Sequence, residues 1–236
     1  MFTICKRELK SYFLTPVGYV FIGIFLLLSG VCFGIINLAS RFGSMLYTLE
    51  YMSYIWMLLS PVLILKLIAG ERHRHADRLY YSLPCSLFSV VAGKFAAACT
   101  VMLLAVFLTL VYPLLIALYG KLYVPETVAG YIGFILQGMA YIALDLFVSS
   151  LARTQVTASV ACVGVNLFLW LADLIRDAAP DRIFGNIFSF ISLYRRFEPF
   201  ASGRVSFASA VFYILFIITM LFLSIRVLDA RRWSNT

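Results

Sequence analysis

Long apolar runs alternate with short polar breaks along this chain, and the runs set its fold class. A membrane-crossing helix takes roughly 20 apolar residues. On that measure spans fall at about 17–38, 51–69, 93–118, 128–151, 155–175 and 206–228. The pattern predicts one all-α integral membrane domain over residues 1–236, with six transmembrane helices and both termini on one side. Ahead of the first run, residues 1–15 read as an amphipathic elbow helix. At helical spacing Phe2, Cys5, Leu9, Tyr12 and Phe13 share one face, and Thr3, Arg7, Lys10 and Ser11 the other. Pro16 marks a bend into the first span. That span is too long for a signal-peptide core and lacks a small-residue cleavage site, so it is expected to be retained.

Two polar breaks carry more than connection. The first, residues 71–83, holds Glu71, Arg72, Arg74, Asp77 and Arg78 and ends before Pro84, which disfavours helical angles at the residue it follows. Leu79 and Leu83 are four apart and share a helix face with Tyr80 beside them, the pattern of an amphipathic helix laid in a partner's groove. Leu79, Tyr80 and Leu83 are the expected apolar anchors, with Glu71, Arg74 and Arg78 as charged contacts. In the second break, between Asp173 and Arg204, the apolar stretch Ile183–Leu193 would reach only about 16 Å as a helix, half a bilayer. It predicts a re-entrant or interfacial hairpin before the last span.

Composition agrees with a membrane chain. Apolar residues make up 63%, charged residues 13%, and mean hydropathy is +0.96, against about 45–50% and 25% in soluble domains. Of the 19 Lys and Arg residues, 12 fall on the side of the termini, a bias that makes that side cytoplasmic. The net charge of +8 is explained by the same bias, so no nucleic-acid partner is expected. Five cysteines without paired spacing read as small hydrophobes. His73 and His75 are two apart and point away from each other on a helix, so no metal site is expected. There is no GxxxxGK[ST] phosphate loop, nucleophile elbow or HExxH pair, so no catalytic residues are expected and no cofactor is expected to bind directly.

Asp145 is the one acidic residue well inside a span. It could reach interfacial water, pair with a base of a neighbouring subunit, or hold the bundle together; a proton relay would call for several such residues. Small residues on two spans, Gly23, Gly30 and Gly34 on the first and Ala161 and Gly164 on the fifth, allow close helix approach and are read as an interface with a second membrane subunit.

Several short motifs together resemble a known family. Glu71 follows an apolar span, Ser82-Leu83-Pro84 comes next, and Gly93-Lys94-Phe95 opens the following span. Ser149-Ser150-Leu151 with Gln155 follows the fourth span, Phe197 to Gly203 precedes the sixth, and Arg231-Arg232-Trp233 closes the chain. This series is similar to type-2 ATP-binding-cassette (ABC) exporter permeases, and most of all to the gliding-motility GldF-like branch. His75-Ala76-Asp77-Arg78 stands where that family often has Gly-Thr-x-Glu, so a base at Arg78 replaces the usual acidic contact.

The resemblance implies a permease subunit of an ATP-driven exporter in a bacterial cytoplasmic (inner) membrane. Residues 71–83 would be its coupling helix. ATP and Mg would be held by separate ABC ATPase subunits, and a second permease, identical or related, would complete a dimer. A membrane anchoring or force-transmitting subunit that moves no solute is the alternative reading.

Overall fold

The computed structural model describes residues 2–40, 43–72, 87–152, 154–178 and 192–234, with side chains described in all of these except 65–72, 173–178 and 231–234. Every regular element among them is helical. Helix α1, Phe2–Leu14, is amphipathic as the spacing predicts. Tyr12 is buried, Cys5, Leu9 and Phe13 pack on the core, and Lys6, Arg7 and Lys10 face outward. Phe2, on the expected apolar face, is 82% exposed. The Tyr12 hydroxyl donates to the Leu63 carbonyl at 2.5 Å, tying the elbow to the bundle.

Helix α2, Pro16–Phe33, starts on the expected proline and runs into a π-helical turn, Gly34–Ala39. A Cβ at Gly18 would sit 2.8 Å from the Tyr12 carbonyl oxygen, so the sharp bend from α1 into α2 needs glycine there. Helix α3 is Leu46–Arg72, and its first turn is fixed by Asn37, whose Nδ2 donates to the Ser44 carbonyl at 2.9 Å while its Oδ1 accepts from Thr48.

The third expected span is two helices, α4 Leu87–Thr109 and α5 Val111–Tyr119. Pro113 is the cause. It has no N–H for the Thr109 carbonyl four residues back, and the Tyr131 hydroxyl takes that carbonyl instead, at 3.1 Å. The span also begins six residues earlier than the apolar pattern places it. Lys94, which opens the expected span, is 5% exposed inside α4. Helices α6, Val124–Leu151, and α7, Gln155–Ala178, follow the expected fourth and fifth spans. The short α8, Leu193–Ala201, precedes α9, Phe207–Ser234.

Helix α6 is the axis of the bundle. The most apolar stretch of α6 is 72% buried, against 17% for the corresponding stretches of α7 and α9, which turn most of their apolar surface outward as lipid-facing helices do. Phe21, Phe25, Trp56 and Phe134 fill the centre, with Phe21 and Phe25 of α2 edge-on to Trp56 at 5.6 and 5.4 Å.

Five helical segments among the described residues are long and apolar enough to cross a membrane: Pro16–Ala39, Leu87–Tyr119, Val124–Leu151, Gln155–Ala172 and Phe207–Ala230. The expected second span falls on α3. Its Thr48, Ser53 and Ser60 are buried and bonded to the chain's own groups, so its polarity is turned inward.

Candidate functional site

Polar groups between α3 and α6 form a ladder. Ser53 Oγ donates to Gln137 Oε1 at 2.7 Å, Trp56 Nε1 to the Gly138 carbonyl at 3.4 Å, and Ser60 Oγ to Asp145 Oδ2 at 2.6 Å. Ser53, Trp56 and Ser60 are three and four residues apart, which puts them on one helix face. Their partners ascend in the same order along α6, so the two helices run in parallel.

The last rung is the most polar point of the interior. Asp145 is 0% exposed. Its other oxygen accepts from Asn166 Nδ2 of α7 at 3.1 Å, and its backbone carbonyl accepts from the Cys162 thiol at 3.3 Å. Asn166 Nδ2 also donates to the Met57 carbonyl at 3.1 Å. That carbonyl is open because Pro61, four residues on, has no N–H to give it. One proline in α3 thus creates the acceptor that draws α7 in, and a carboxylate too costly to leave bare in an apolar interior is met by a hydroxyl and an amide. Of the roles open to Asp145 from sequence, the geometry favours holding three helices of one chain together over reaching water or a neighbouring subunit.

The sequence reading singled out Asp145 but not Ser60 or Asn166. The signal available was the Ser60-Pro61 pair inside an apolar run, since a proline there must leave Met57 in need of a donor.

At the other end of α3, Tyr194 of α8 donates to the Glu50 carboxylate and stacks on Tyr54 at 4.9 Å. Burial, with the Glu50 carboxylate, holds the Tyr194 phenol above its ordinary pKa. Phe197 and Phe200 are fully buried, and Phe200 lies on Gly133, where a Cβ would meet its side chain at 2.4 Å.

The coupling-helix residues Arg74, Arg78, Leu79, Tyr80 and Leu83 lie outside the described residues. Glu71 is in the last turn of α3, with its side chain outside them. The small residues assigned to a permease interface divide. A Cβ at Gly23, Gly34 or Gly164 would meet nothing within 4 Å. A Cβ at Gly30 would lie 3.5 Å from the Tyr112 hydroxyl, and Ala161 packs on the core of its own chain.

A family model described as ABC-2 family transporter protein matches residues 34–178, from the π-helical turn through α7 and more than half of the 236 residues. The chain belongs to the ABC-2 transporter family. No curated protein matches it. As an ABC-2 permease it is a multi-pass membrane subunit and not itself catalytic.

Proposed function

We propose that this ABC-2 permease is the membrane subunit of an ATP-driven exporter of the gliding-motility GldF-like kind. It crosses a bacterial cytoplasmic membrane six times, with α3 added to the five long apolar helices and both termini in the cytoplasm. Separate ATPase subunits hold ATP and Mg and grip residues 71–83, with Leu79, Tyr80 and Leu83 in the groove and Glu71, Arg74 and Arg78 at its rim.

One observation carries this reading: α3 runs unbroken from the Ser60–Asp145–Asn166 cluster to Arg72, the threshold of the docking stretch. The twelve helical steps from Ser60 to Arg72 reach about 18 Å. A displacement of the stretch would be carried along a rigid rod to α6 and α7 together, because the cluster fixes both to α3. A chain without a phosphate loop can do work only if a partner binds two of its states differently, and α3 is the element placed to report that difference.

A second permease copy, identical or related, would face α2 and α7, where Gly23, Gly34 and Gly164 leave room for close approach. Purification of the full chain from its native membrane, with identification of the subunits that accompany it, tests the reading. An ATPase whose turnover responds to an added amphiphile supports export; an ATPase indifferent to every solute supports force transmission without transport; no ATPase at all contradicts both.

A further inference from the structure

An open-sided cleft of about 590 Å³ lies between α8 and the start of α9, and three arginines line it: Arg195, Arg196 and Arg204. Among the described residues that line it, one carboxylate, that of Glu198, joins them, so the guanidinium charge of the lining is in excess. Hydroxyls of Ser202, Ser206 and Ser209 line the same space. The first turn of α9 opens onto it too, adding the positive end of a long helix.

The backbone at Arg195 and Arg204 and the side chain of Arg196 are held in place. Ser192 Oγ caps α8 by accepting from the Arg195 N–H at 3.0 Å. The Arg196 guanidinium lies over the Phe212 ring, 4.7 Å from its centre. The Arg204 N–H donates to the Pro199 carbonyl at 2.9 Å. Gly203, at φ 73°, makes the turn before Arg204 and sits so close to Glu126 that a Cβ would meet its side chain at 2.7 Å.

We propose that this cleft binds a phosphate group, and that its source is the head group of an anionic amphiphile at the membrane boundary. Guanidinium forks match phosphate oxygens in geometry as well as charge, and the volume is ample for a head group. The lipid source is favoured by what adjoins the cleft. Ala208 of the lining shares its face of α9 with Val211 and Leu215, which are 36% and 58% exposed one and two turns further along a membrane-crossing helix. A phosphate in the cleft would therefore have an open apolar track for its chains.

The full chain, purified in a neutral detergent, is titrated with phosphatidylglycerol, with phosphatidylcholine and with inorganic phosphate, and bound lipid is counted by native mass spectrometry. Phosphatidylglycerol is expected to be retained in preference to phosphatidylcholine. The double substitution Arg195→Gln, Arg204→Gln should weaken its binding about tenfold or more. Glu198→Gln should tighten it, and Arg226→Gln, on the distant part of α9, should leave it unchanged. Competition by inorganic phosphate with the same dependence on Arg195 and Arg204 would support the phosphate site and make free phosphate its source; failure to compete would support the lipid source. Equal retention of the two lipids, or binding indifferent to the arginine substitutions, overturns the proposal. Should the double variant not fold, an unchanged affinity in Glu198→Gln overturns it equally.

Discussion

Ser60 donates to Asp145 across 2.6 Å, and both side chains are completely buried between α3 and α6. The pair is a joint of three helices, because Asn166 of α7 reaches the other carboxylate oxygen. Removal of the carboxylate strands two buried donors, so Asp145→Ala should lower stability by about 1–3 kcal/mol. Asp145→Asn should cost less. Its side-chain oxygen can still accept from one of the two donors. Thermal unfolding of the purified chain checks the order: wild type, then Asn, then Ala. An alanine variant as stable as wild type would remove the joint from the mechanism.

Gly133 and Gly164 should respond oppositely to alanine. At Gly133 the new methyl would lie 2.4 Å from the Phe200 Cβ, which cannot swing away without moving α8, and the expected cost is about 1–3 kcal/mol. At Gly164 nothing stands within 4 Å, and alanine should be neutral or stabilise α7 by roughly 0.5–1 kcal/mol. Unfolding temperatures of the two variants measured side by side decide the matter, and a tolerated Gly133→Ala would mean that α8 is not seated on α6 as described.

Much of the fold is legible in the sequence, since apolar length and helical spacing place α1, α2, α6, α7 and α9 closely. The break between α4 and α5 was not foreseen, although Pro113 is visible; what resolves it is a hydroxyl from Tyr131, a tertiary partner that no local pattern supplies. The polar residues of α3 are the harder case. Ser53 and Ser60 lower its apolarity, and only the bundle reveals that Gln137 and Asp145 receive them. Asp145 was visible as a buried charge in need of company, whereas Asn166, 21 residues away, becomes its partner only through packing. Separation along the chain hides that α8 and α9 bring the arginines around Ser202 to one cleft.

If α2 and α7 face a second permease, bulk at their open glycines should act on assembly and not on the fold. Gly23→Leu with Gly164→Leu should leave the thermal unfolding of the single chain near that of wild type while reducing crosslinking between subunits. Crosslinks that persist undiminished in the double variant would move the interface elsewhere on the bundle.

The orientation predicts reagent access. In a background without the five native cysteines, a cysteine at Asn235 should resist a membrane-impermeant thiol reagent in intact cells, and one at Asp181 should react. The reverse pattern would place the termini, and with them residues 71–83, on the wrong side of the membrane for an ATPase.

The most direct test is at the docking stretch. The chain carrying Leu79→Ala, Tyr80→Ala and Leu83→Ala together is purified alongside wild type, and the accompanying ATPase and its turnover are measured. Apolar anchors of this kind typically contribute about 1–3 kcal/mol each to association, so the triple variant should lose most of the bound ATPase and the turnover that depends on it. Full retention of both by a correctly folded triple variant would contradict the claim that this permease is driven through residues 71–83.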